Sequence, residues 1–231
     1  MSSEYETTKD RLLDAALMHV PFDGWSETTL TAAARDADID MAMARAVCPR
    51  GAVDLALAYH ARGDATMVAR LTADPLPDRF RDKVATAIRV RIEGISDKEA
   101  VRRGTTLFAL PTYAADGAKA IWGTSDLIWN TLGDASEDVN WYTKRATLSG
   151  VYSTTILYWL GDDSADNQAT WAFLDRRIDD VMQIEKVKAQ IRNNKVLSGL
   201  LAGPNWLLGQ IKAPSHVRPS DMPGMWSSDS K

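Results

Sequence analysis

The residues able to do chemistry are few and poorly matched. The chain has three histidines, His19, His60 and His216. None has Asp or Glu three positions before it, so the Glu-x-x-His spacing of di-iron bundles is missing. No His–His or Cys–His pair has the spacing of metal ligands. Gly-x-Gly-x-x-Gly, the Walker loop and Gly-x-Ser-x-Gly are all absent. Cys48 stands without a histidine partner in sequence and reads as a small buried hydrophobe; His60, beside Tyr59, reads as a packed histidine. The adjacent carboxylates Asp162-Asp163 and Asp179-Asp180 suit a loop or a solvated helix face better than paired acid–base work. The residues therefore argue against a self-contained enzyme and call for no metal or cofactor.

The elements that carry them read as helices. With 231 residues, 45% of them hydrophobic and 25% charged, the chain has ordinary globular composition. One cysteine cannot form an internal disulfide. No apolar run of 18 residues exists to cross a bilayer, and the acidic start, Met1 to Glu6, lacks the features of a signal or transit peptide. These point to a reducing, cytoplasmic setting. Apolar residues recur at helical spacing in Leu12, Leu13, Ala16, Leu17 and Val20, with Pro21 and Gly24 ending that helix. Ser26 or Thr28 starts a short helix over 30–37, and Asp40 caps another over 41–47. Longer helices follow at about 53–71, 78–92, 97–110, 114–132, 141–160 and 166–191, with Asp74-Pro75-Leu76-Pro77 as the clearest linker. No strand pattern is sustained. The chain divides into a three-helix unit (1–60), a bundle (61–192) and a tail (193–231).

Residues 1–60 have the spacing of a TetR-type DNA-binding unit, with 41–47 in the recognition position. Charge opposes that use. Lys9, Arg11, Arg35, Arg45 and Arg50 face ten carboxylates (Glu4, Glu6, Asp10, Asp14, Asp23, Glu27, Asp36, Asp38, Asp40 and Asp54). DNA carries one negative charge per ~1.7 Å, and its binders neutralise several phosphates. The recognition segment, Met41 to Val47, offers only Arg45 to a base edge. No nucleic acid partner is expected.

Two further features stand out. Trp141-Tyr142 opens a helix; adjacent helical positions point about 100° apart, so a single buried face is a poor fit for both rings. With Arg145 nearby, the pair has the composition of an interaction hot spot. In the tail, Lys186, Lys188, Arg192, Lys195, Lys212 and Arg218 meet no acidic residue over 186–218. Leu197, Leu200, Leu201, Leu207, Leu208 and Ile211 form an apolar face there, with Trp206 at its rim and Lys195 and Lys212 at its flanks, although Pro204 should kink it. That composition fits a helix lying on an anionic membrane surface; packing back onto the bundle is the alternative.

Several stretches resemble the ubiquinone-biosynthesis accessory family with a TetR-like fold, in particular its bacterial members. They are Asp138 to Leu148, with Asn140-Trp141-Tyr142-Thr143 at its centre, Val151 to Thr155, Thr170-Trp171 with Phe173 to Met182, and, matching the bacterial members, Phe22-Asp23-Gly24-Trp25-Ser26 and Pro49-Arg50-Gly51. The likeness covers about residues 7–192. It implies an all-α, TetR-like homodimer that does no chemistry itself. It implies an isoprenoid quinone or phospholipid ligand held in the bundle, and a partner, the di-iron demethoxyubiquinone hydroxylase, met at the membrane. The partner-binding patch would be Asp126, Trp141, Tyr142 and Arg145, and the 196–211 segment would touch the membrane from the inner face of the cytoplasmic membrane. The rival is a ligand-responsive TetR-type transcriptional regulator. A gel shift on the protein's own promoter at ~50–150 mM salt separates the two: no salt-sensitive, sequence-specific complex is expected.

Overall fold

A computed structural model describes residues 2–193, and over them the chain is all-helical. Helices α1 (Ser2–Leu17), α2 (Val20–Asp23), α3 (Glu27–Asp36) and α4 (Met41–Val47) make the N-terminal unit. Six longer helices follow: α5 (Ala52–Ala73), α6 (Phe80–Glu93), α7 (Lys98–Phe108), α8 (Ala114–Thr131), α9 (Val139–Leu160) and α10 (Gln168–Asn193). Among the described residues there is no strand.

Local chemistry explains the boundaries. Ser26 caps α3 by accepting from the Thr29 amide, and Asp40 caps α4 through the Ala42 amide at 2.8 Å. Asp97 and Asp138 cap α7 and α9 in the same way. Most expected boundaries move by one to three residues, and two of these shifts have a clear local cause. The first helix stops at Leu17 rather than Val20, because Pro21 has no N–H for the Leu17 carbonyl and its ring crowds that oxygen; Pro21 instead sits in the first turn of the separate α2. The last helix begins at Gln168 rather than Asp166, since Asp166 and Asn167 take positive φ (51° and 54°) in a 3-10 turn, a conformation that Asp and Asn tolerate better than most residues.

Two cores lie along α5. Leu12, Leu13, Ala16, Val20, Leu30, Ala44 and Cys48 close on Leu55 at its start. Met67 and Leu71 at its end close on Ile88, Ile92, Ile128, Leu148 and Tyr152 of the bundle. Helix α5 runs unbroken through residue 60, where the sequence suggested a boundary. Helix α10 closes the bundle against α6 and α9; Arg81 holds it through Asp175 at 3.0 Å and Asp179 at 2.8 Å. The tail carrying Lys195, Leu197, Leu200, Leu201, Trp206, Leu207, Leu208, Ile211 and Lys212, like His216, lies outside the described residues.

A helix shared by both cores ties their stability together. Leu12→Ala and Met67→Ala, one in each core, should each cost roughly 2–5 kcal/mol and shift one common urea transition. Two separable transitions by circular dichroism would contradict the coupling.

Candidate functional site

The first candidate surface is built around the start of α9. Trp141 and Tyr142 are half-buried and meet edge to face, with ring centroids 4.8 Å apart. Trp122 of α8 completes the cluster at 5.9 Å from Trp141 and 6.5 Å from Tyr142. Arg145, one turn on, has no exposed surface. Its guanidinium lies 4.0 Å from the centre of the Trp141 ring. Its N–H groups donate to Asp126 (2.5 Å) and Asn130 (2.9 Å) on α8, to Asp134 (3.0 Å) in the α8–α9 loop and to the Trp141 carbonyl (3.2 Å). Arg145 is thus a frame for the patch, while Asp126 stays half-buried at its side. Asp134 also accepts from Lys144 at 2.7 Å and Ser136 at 2.8 Å. Burial pushes the Asp134 carboxyl up, but the hydrogen bonds from Lys144, Ser136 and Arg145 outweigh it and hold the group at about 2.

The second candidate is a cavity of about 510 Å³ among α5, α6, α7, α8 and α9, reaching Leu17 and Trp25 of the N-terminal unit. Ile95, Ala100, Val101, Phe108, Ile121, Ile156 and Leu157 make it largely apolar. One wall is polar: His60, Arg91 and Tyr152 face the space, and Asp64 and Thr124 stand behind them. Arg91 is 4% exposed; it donates to Asp64 at 2.7 Å and to the His60 carbonyl at 3.0 Å. Thr124 donates to Asp64 (3.0 Å) and lies 2.8 Å from His60 Nε2. His60 Nε2 also lies 3.2 Å from the Ala120 carbonyl, which can only accept, so the imidazole proton belongs on Nε2. Burial, aided by the Arg91 charge, holds His60 below its usual value despite the neighbouring Asp64. Burial likewise pushes the Tyr152 phenol up, against the pull of the Arg91 charge. A Cβ at Gly63 would come within 2.6 Å of the Arg91 guanidinium and would push it from its place beside Asp64.

The remaining reactive residues are committed to the fold. Cys48 is buried in the first core, where burial raises its thiol to about 11; a thiol held so far above neutral pH is a poor nucleophile. His19 lies 2.7 Å from Asp36 and pins the α1–α2 turn to the end of α3. Asp162 accepts from Thr170 and Ser164, capping the turn into α10, and its carboxyl is held low chiefly by the Thr170 hydroxyl, with Ser164 adding to it. Asp180 pairs with Arg177, as Asp179 does with Arg81. Arg45, the one base of the recognition-position helix, is ion-paired with Glu27 of α3.

This N-terminal helical unit feeding a helical bundle is the TetR-type architecture. A crystal structure of a TetR transcriptional regulator from Nitrosomonas europaea shares it with a TM-score of 0.62, covering 75% of this chain and 97% of that one at 16% identity. The sequence relatives are narrower. Residues 114–185 match the family model described as COQ9. The mitochondrial ubiquinone biosynthesis protein COQ9-B of Xenopus laevis is 30% identical over 217 residues, which is 87% of this chain and 73% of that protein. The COQ9 proteins of Xenopus tropicalis (30%, covering 85% of this chain and 65% of that protein) and Homo sapiens (29%, 81% and 62%) are similar. The chain belongs to the COQ9 family, and it spans about 65% of the length of the Xenopus tropicalis relative. No described helix is long and apolar enough to cross a membrane.

Sequence reasoning picked out Asp126, Trp141, Tyr142 and Arg145, and the fold brings all four together. It missed Trp122 and Asp134 as parts of the same cluster, and it missed the cavity wall. Asp64 and Arg91 are 27 positions apart; the only local sign was a helix, α5, carrying charge at positions that prove to be inward. Arg145→Met strips the buried Asp134 of a cationic partner and should cost roughly 3–5 kcal/mol in urea unfolding. The depressed Asp134 carboxyl adds stability above its ordinary value near 4, which is lost as pH falls from there toward 2. Asp134→Asn should flatten that part of the acid-unfolding curve; an unchanged curve would remove Asp134 from the frame.

Proposed function

We propose that this COQ9-family protein serves ubiquinone biosynthesis as a lipid-binding accessory homodimer. It takes an isoprenoid quinone intermediate into the bundle cavity and presents it to the di-iron demethoxyubiquinone hydroxylase at the membrane. The hydroxylase docks on Trp141 and Tyr142, and the 195–212 segment meets the lipid surface. The protein performs no chemistry of its own.

The cavity carries the reading. A dry cavity of roughly 150 Å³ accepts one benzene molecule. At about 510 Å³ this one takes three times that volume, enough for a substituted ring and the first part of an apolar tail. Each buried methylene of that tail contributes ~0.8 kcal/mol, which offsets withdrawal from a bilayer. The relatives' printed role in ubiquinone biosynthesis supplies the pathway. The aromatic patch has the large, part-exposed, Arg-backed rings that dominate interface energies.

The fold is equally that of a transcriptional regulator. The ion pair between Arg45 and Glu27 speaks against that use, since it occupies the one cation of the helix that would face a base edge.

Mass spectrometry of the purified protein should detect a co-purifying prenylated quinone intermediate. Trp141→Ala with Tyr142→Ala should abolish co-purification with the hydroxylase and lower cellular ubiquinone, while the bound lipid stays. Normal ubiquinone levels in that double variant would refute the patch assignment.

A further inference from the structure

The polar wall of the cavity contains a cancelled charge. Among the described residues lining the space there is no carboxylate and there are two cations, Arg62 and Arg91. Arg62 is held outward by α1, at 2.5 Å from Asp14 and 3.0 Å from Asp10. Arg91 is held from behind by Asp64 at 2.7 Å, with the pair 4% and 9% exposed. Asp64 is fixed in turn by the Thr124 hydroxyl, at 3.0 and 3.1 Å from its two oxygens. The cavity therefore meets a guanidinium whose charge is neutralised, flanked by a neutral imidazole and a protonated phenol.

Resting on the cavity being the lipid site, we propose that Asp64 is its specificity-determining residue: by cancelling Arg91 it suits the deep wall to an uncharged, oxygen-bearing headgroup and turns away phosphate- or carboxylate-bearing lipids. An uncharged carbonyl or hydroxyl can accept from Arg91, whose five N–H groups are only partly engaged by Asp64 and the His60 carbonyl. It leaves the Arg91–Asp64 pair intact. An anion at the same place would sit close to the Asp64 carboxylate in a largely apolar space, where like charges repel more strongly than in water and desolvation of the anion goes unrepaid. Asp64 acts through Arg91 and the field it creates; it is not among the residues that line the space.

Farnesol and farnesyl phosphate share one tail and differ in headgroup charge, and native mass spectrometry can titrate each against delipidated full-length protein. The wild type should bind farnesol at least about tenfold more tightly, the scale of a like-charge mismatch in a buried site. Asp64→Asn frees the Arg91 charge and should reverse the order, with farnesyl phosphate gaining. Asp64→Glu should keep the wild-type order. Wild-type binding of both ligands with equal affinity, or an Asp64→Asn variant that folds by circular dichroism yet keeps the preference for farnesol, would overturn the role of Asp64 and leave the lipid reading standing. Binding of neither ligand by the wild type would overturn both. Should Asp64→Asn fail to fold, the wild-type ratio decides.

Discussion

The buried pair of Arg91 and Asp64 is the constraint around which the bundle is arranged. Two charges withdrawn from water cost several kcal/mol each, and their attraction repays this only with good geometry and with partners for the remaining donors and acceptors. Here the partners come from several helices. Asp64 and the His60 carbonyl belong to α5, Arg91 to α6 and Thr124 to α8, while Tyr152 reaches the same point from α9. Satisfying one ion pair thereby ties α5, α6 and α8 together, with Tyr152 of α9 close by. The Arg91 guanidinium lies against Gly63, where no side chain stands in its way, and the cavity is what these helices enclose on their other side.

Much of the helical framework was legible in the sequence because its signals are local. Ser26 and Asp40 announce helix starts by hydrogen bonds to amides two or three residues on, and the structure uses both; Asp97 and Asp138 cap their helices by the same chemistry. The Trp141-Tyr142 patch was legible for a related reason: two aromatic residues at adjacent helical positions cannot share one buried stripe. What stayed hidden was set by contacts between distant segments. Nothing around Asp134 distinguishes it from other polar loop residues until Lys144 and Arg145 fold back on it. Nothing around Asp64 marks it as inward-facing until α6 supplies Arg91. The break at Leu17 shows the limit in the other direction, since Pro21 was read as a stop placed after a helix when it acts four residues upstream.

The N-terminal unit and the bundle have diverged in what their charges do. Arg45, Arg35 and Arg50 are each occupied by a carboxylate of the same protein, Glu27, Asp36 and Asp54 respectively. Those cations are paired within the protein, and the unit packs against the start of α5. The bundle instead keeps aromatic side chains at its surface and a cationic frame beneath them.

Arg145 touches α8, the α8–α9 loop and its own helix at once, and it stacks on Trp141 while doing so. Rings secured this firmly have already surrendered most of their rotational freedom. Immobilising a mobile side chain at an interface costs roughly 0.5–1.5 kcal/mol, and here that entropy is lost during folding. A protein that settles on this face would gain nearly the whole of the aromatic contact energy, and a small footprint would suffice to hold it.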